Sequence, residues 1–237
     1  DLMDAVAVDL ADRGYASWNV EYRRPDRHGW AATTRDVAAG IAAVGGLAAL
    51  AGVAEAQPLD LDRVAVLGHS AGGQLALRLA ADLAADPRPG TADLATGPRP
   101  GSPDRTGGPA EAGPAAARIA LVVSLAGVLD LVEGERRYLG EGAIPAALGG
   151  TPATVAQRYA ASDPMGRVPV GVPTLLVQGA DDSPDLVDVN RRYAVAAREA
   201  GDDVSHLERP GDHFAVIDPG SAIWQATMAE VDRRLGR

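Results

Sequence analysis

The stretch "RVAVLGHSAGGQLAL", residues 63–77, is an apolar run that breaks at Gly68-His69-Ser70-Ala71-Gly72-Gly73 and resumes with helix-forming residues. This succession predicts a buried strand, a tight turn and a helix. Three kinds of turn fit the outline. A dinucleotide-binding G-x-G-x-x-G needs a central glycine so that backbone can approach a pyrophosphate, and here Ser70 stands in the middle. A Walker-type phosphate loop needs a lysine, and the chain has none. The third is G-x-S-x-G, in which a serine sits on a strained strand-to-helix turn and the flanking glycines, here Gly68 and Gly72, remove Cβ atoms that would clash. A serine that only caps the helix is the plainer alternative. The strand before and the helix after favour the G-x-S-x-G turn.

A serine hydroxyl is a weak nucleophile at neutral pH, so this turn calls for a histidine base whose tautomer is held by a carboxylate. The chain has four histidines. His69 adjoins Ser70 in so sharp a turn that its side chain is expected to point away from it. His28 lies in the polar loop "RRPDRHGW", and His206 falls inside a predicted strand, where a structural role is the expectation. His213, in "RPGDHFAVID", follows the last predicted strand and can reach the carboxyl edge of a sheet, so it is the candidate base. The acid should come between serine and histidine at a strand end. "LLVQGADDSPDL" offers Asp181, Asp182 and Asp185 just after Gly179, and Asp130, after the preceding strand, is a further option. Surplus acids there are expected to be solvated or to cap the helix that starts near Pro184.

Working outward, residues 2–13 read as an amphipathic helix closed by Gly14, "YASWNVEY" (15–22) as a strand, and residues 33–50 as a helix weakened by Gly45 and Gly46. Strands are expected at 62–68, 118–127, 172–179 and 203–211. A helix carries Val189, Tyr193 and Ala197 on one face, and another carries Trp224, Met228, Val231 and Leu235. Alternating strands and helices predict one α/β domain over residues 1–237, with a mostly parallel sheet covered on both faces. Residues 87–114 hold seven prolines and six glycines, and read as a mobile surface insertion. Residues 128–171 read as short helices that could cap the active face.

On "NVEYR" (19–23), "GHSAGGQLAL" (68–77), "LLVQGADD" (175–182) and "PGDHF" (210–214), the chain resembles the α/β-hydrolase superfamily. Within it, the likeness is to the bacterial branch of carboxylesterases, feruloyl-esterase-like proteins and kynurenine-formamidase-like enzymes. The resemblance implies Ser70 as nucleophile and His213 as base. It implies Asp182 as acid, three residues after the strand-end Gly179, with Asp181 as fallback, and the Ala71 N–H as one oxyanion donor. It implies hydrolysis of a carboxylic ester or activated amide through an acyl-enzyme, with no organic cofactor and no metal. The branch also carries a His-Gly-Gly oxyanion loop on a central strand, and no "HGG" occurs in this chain. On that ground an N-terminally truncated domain is expected, its missing strand lying between residues 15–22 and 63–68.

Composition excludes several alternatives. The net charge is −10 and all 22 basic residues are scattered arginines, so nucleic acid is not an expected partner. The absence of cysteine rules out disulfides and thiol nucleophiles and points to a cytoplasmic location. No apolar run reaches the ~20 residues of a membrane span. A small-molecule ester or amide is the expected partner. Hydrolysis of an aryl formamide would use the same three residues. A catalytically dead binding module is the competitor from another class, since losing one oxyanion donor costs ~10²–10³ in rate.

Overall fold

The computed structural model describes residues 2–48, 58–85 and 117–237. The expected insertion at 87–114 and the last two residues of the helix expected at 33–50 lie outside them. Among the described residues four strands, β1 (Val64–His69), β2 (Ile119–Leu125), β3 (Thr174–Gly179) and β4 (Val204–Arg209), form one sheet in the order β1-β2-β3-β4. Every neighbouring pair is parallel, with Leu67 opposite Val123, Val123 opposite Leu175 and Leu175 opposite Ser205. Parallel neighbours need crossovers, and helices supply them. In chain order the α-helices of the described residues are α1 (Asp4–Asp12), α2 (Pro25–His28), α3 (Trp30–Ala48), α4 (Ala71–Ala85), α5 (Leu131–Arg136), α6 (Ala143–Leu148), α7 (Ala156–Ser162), α8 (Pro184–Glu199) and α9 (Ala222–Leu235).

The strand period of two sorts the central strands onto two cores. Leu121, Val123, Leu125, Leu175 and Val177 pack with Val6 of α1 and with Trp224, Met228 and Val231 of α9. Val122 and Leu176 point the other way, onto Ala76, Leu77 and Ala80 of α4 and Val189, Tyr193 and Ala197 of α8. Removing each such Leu or Val from water stabilises the fold by roughly 1.5–3 kcal/mol. The indole N–H of fully buried Trp224 donates to Asp9 (2.7 Å), tying α9 to α1.

Residues 15–22 correct the expectation of a strand there. Among the described residues they have no sheet partner, and they lie against α3 instead. A Cβ on Gly40 would come within 2.9 Å of both Val20 methyls, so α3 can approach only because glycine stands there. The Thr33 hydroxyl donates to the Arg23 carbonyl (2.6 Å), and Arg23 grips Asp36 with two side-chain nitrogens. Aromatic and β-branched residues favour extended backbone, but a strand also requires a neighbouring ladder. Here residues 15–22 and β1 line a shared cavity of about 810 Å³ rather than pairing with each other.

Between β2 and β3, the short helices α5, α6 and α7 build a small third cluster from Leu131, Ile144, Leu148 and Tyr159. Gln74 of α4 anchors it through a hydrogen bond to the Ser162 carbonyl (2.6 Å), and Trp30 donates its indole N–H to the Ser162 hydroxyl (2.7 Å).

Candidate active site

β1 ends at His69, α4 begins at Ala71, and Ser70 forms the turn between them with φ at +54°. Left-handed backbone costs a serine energy and persists only where the surroundings enforce it. Here the Ser70 N–H donates to the Leu125 carbonyl at the end of β2 (2.9 Å), and the Ser70 carbonyl accepts from Gly73 N (3.1 Å) and Gln74 N (3.3 Å). A Cβ on Gly68 would lie 2.1 Å from the Gly72 carbonyl oxygen, so this position tolerates only glycine. Gly72 corrects the expectation that both motif glycines relieve clashes, since a Cβ there meets nothing within 4 Å. The second obligatory glycine is Gly73, where a Cβ would sit 2.5 Å from Ser124 Oγ and 3.0 Å from Gly127 Cα. The helix must pass this close to the end of β2 for the turn to hold its shape.

The end of β3 supports the opposite wall. Gly179 lets the loop after β4 come in, because a Cβ there would be 2.2 Å from the Gly211 carbonyl oxygen. The two adjacent carboxylates that follow take different work. Asp181 accepts from the Gly211 N–H (2.9 Å) and so fixes the loop. The Asp182 side chain is largely covered and faces the imidazole, its Oδ2 lying 2.8 Å from His213 Nδ1. The same oxygen accepts from Gln178 Nε2 (3.1 Å), and Asp182 Oδ1 accepts from Ser183 N (2.6 Å). A carboxylate facing Nδ1 requires that nitrogen to carry its proton, which leaves Nε2 as the basic one. Asp212 steadies the loop from within, accepting from Phe214 N and Ala215 N (2.9 Å each), and these bonds hold its carboxyl below the usual range.

Ser70, His69, His213 and Phe214 line the same cavity. Ala71 is exposed and opens α4, so its N–H belongs to the first-turn donors that helix geometry leaves unpaired. The other candidates lie elsewhere. Asp130 caps α5, accepting from Glu133 N (2.8 Å), and Asp185 pairs with Arg137 (3.0 Å). His28 ends the exposed helix α2, and His206 sits in β4 opposite Leu176, where burial pushes its pKa down.

Sequence reasoning passed over one residue in this cluster, Gln178, and set aside another, His69. Gln178, fully buried, is a polar residue inside the apolar run "TLLVQG", and that misfit was its signal. His69 does not merely point away: its Nε2 lies 2.8 Å from the His213 carbonyl oxygen. Among the described residues no group of three or more His, Cys, Asp or Glu could hold a metal ion, and no helix is long and apolar enough to cross a membrane.

A parallel sheet with helices on both faces, a serine in a left-handed turn after a strand, and an Asp–His pair on the following strand ends together define the α/β-hydrolase fold. The BD-FAE family model matches residues 1–193, and the chain belongs to that family. No curated protein matches it. Among solved structures, it is similar to an acetyl ester-xyloside bifunctional hydrolase from Caldicellulosiruptor lactoaceticus, with 22% identity over 98% of this chain and 76% of that one, and a TM-score of 0.67. A carboxyl esterase 2 from the fungus Tuber melanosporum shares 13% identity over 99% of this chain and 72% of that one (TM-score 0.67). A bacterial heroin esterase shares 18% over 92% of this chain, which spans 62% of that one (TM-score 0.61).

Proposed function

We propose that the protein hydrolyses carboxylic esters of small molecules, with Ser70 as nucleophile, His213 as general base and Asp182 as the acid that orients it. The observation that carries this reading is the 2.8 Å contact between Asp182 Oδ2 and His213 Nδ1, on a cavity that Ser70 also lines. Membership of the BD-FAE family and the likeness to proteins named as esterases support it.

His213 Nε2 takes the Ser70 proton as Oγ attacks the ester carbonyl, giving a tetrahedral intermediate. The Ala71 N–H, at the positive end of α4, donates to the oxyanion. Collapse expels the alcohol, which takes the proton back from His213, and leaves an acyl group on Ser70. Water, deprotonated by the same imidazole, then releases the acid. Asp182 stays ionised throughout and favours the imidazolium that forms at each step. We read the helices of residues 128–171 as a small cap on the site, and the cysteine-free sequence as that of a cytoplasmic protein.

The test is turnover of p-nitrophenyl acetate by the protein and by Ser70→Ala. Hydrolysis above the buffer rate that falls by at least about 10⁴-fold in the variant is the expected result. Equal rates from the two proteins would refute the assignment.

A further inference from the structure

We infer that His69 is a positioning residue that locks the loop carrying His213 to the turn carrying Ser70, through its hydrogen bond to the His213 carbonyl. This rests on the reading of Ser70 and His213 as the reacting pair. His69 is the last residue of β1 and precedes Ser70 directly. Its Nε2 lies 2.8 Å from the His213 carbonyl oxygen, and since a carbonyl only accepts, the imidazole must donate from Nε2. Its ring also lies against the His213 ring, with centroids 4.6 Å apart at 52°, and Phe214 closes the group at 5.8 Å from His69 and 5.4 Å from His213.

The loop's other tethers run to a different strand. Gly211 N donates to Asp181, Asp181 N donates to the Gly211 carbonyl, and His213 Nδ1 meets Asp182, all beyond the end of β3. Those bonds set the height and tautomer of His213 relative to β3. Ser70 rides on β1, two strands away in the sheet order. Among the described residues, the His69 bond is the hydrogen bond that joins the His213 loop to β1. Proton transfer requires base and nucleophile within hydrogen-bond reach, and a displacement near 1 Å can cost about 10²-fold in rate.

The charge state suits the role. Burial pushes the His69 pKa down, and the neighbouring His213 adds to that, while its hydrogen bond to the His213 carbonyl and the Asp182 carboxylate work the other way. A neutral His69 donates its one N–H without placing a positive charge beside the imidazole that must itself become cationic.

Two variants separate the hydrogen bond from the ring. His69→Phe keeps an aromatic ring and loses the donor, whereas His69→Gln keeps an N–H donor and loses the ring. Each is measured for kcat and KM on p-nitrophenyl acetate, for melting temperature, and for the downfield Nδ1 proton of His213 by NMR. In His69→Phe, kcat is expected to fall about 10- to 100-fold with KM within about threefold, and the Nδ1 proton to broaden. His69→Gln should restore kcat to within about fivefold of the parent and sharpen the resonance. The inference is overturned if His69→Phe matches the parent in kcat and resonance. It is equally overturned if both variants lose activity in step with melting temperature, which would make the residue a packing element. Ser70→Ala, run alongside, keeps the two claims apart. If it turns over ester as fast as the parent, the assignment of the site fails, while the His213 resonance, which needs no turnover, still decides the role of His69.

Discussion

Asp181 and Asp182 are adjacent carboxylates whose division of labour is set by one peptide unit of chain direction. The Asp182 carboxylate meets His213 and Gln178, whereas Asp181 receives a backbone N–H from the loop. Asp182→Asn should therefore lower kcat by about 10³- to 10⁴-fold, because an amide can present N–H to Nδ1 and impose the wrong tautomer. Asp181→Asn keeps an acceptor for Gly211 N and should cost less than about tenfold. Steady-state kinetics on one ester compares them, and a larger loss from Asp181→Asn would reverse the roles. Both aspartates stood out in the sequence as candidates, since acids after a strand-end glycine are visible in one dimension. The residues themselves left the choice between the two open, and only the resemblance singled out Asp182, because which one faces the imidazole depends on how the loop at Gly211 docks over Gly179. The same holds for Gly73: its need for close approach comes from Ser124, which is 51 positions distant in sequence and belongs to another strand.

At the scale of elements, β1 is the informative strand. Its run of apolar residues announced a strand buried between neighbours, yet among the described residues it pairs only with β2. The Ser70 N–H faces β2, donating to Leu125, and strand alternation points the N–H groups of Val66 and Gly68 the same way. Those of Leu67 and His69 point towards the cavity bounded by residues 15–22. Hydrogen exchange should therefore show the Leu67 amide exchanging at least about 10²-fold faster than those of Val66 and Gly68. Equal protection along the strand would show that its outer edge has a hydrogen-bonding partner. Strands and helices from β2 onward were legible because periodicity and the glycines at their ends agree. Residues 15–22 misled for a physical reason: composition reports a preference for extended backbone, and pairing is decided by what lies alongside.

For the molecule as a whole, two sets of carboxylates oppose each other in their effect on stability. Arginine partners hold Asp36, Glu133 and Glu230 at about 2. Their contribution is present above the ordinary carboxylate range and is lost as pH falls through about 4 towards 2, although exposed pairs of this kind are individually weak. Asp163 behaves in the opposite sense. Burial raises its carboxyl to about 6, despite hydrogen bonds from Leu131 N and Met165 N. The folded protein therefore holds this proton more tightly than the unfolded chain, and stability from this group is lost as pH rises from about 4 through about 6. Asp163→Asn should flatten that part of the profile and leave the protein at least as stable as the parent at pH 7. Chemical denaturation at a series of pH values measures both, and a parallel pair of profiles would show that Asp163 does not ionise as inferred.

The central claim is that Ser70 is a base-activated nucleophile, and it can be read without knowing the substrate. A fluorophosphonate reacts with a serine that a neighbouring base deprotonates, and leaves a covalent phosphonyl group of known mass. After incubation with this reagent, intact-mass measurement and peptide mapping should find one adduct on the peptide carrying Ser70, absent from Ser70→Ala and strongly slowed in Asp182→Asn. An unmodified protein, or an adduct that persists in Ser70→Ala, would contradict the claim.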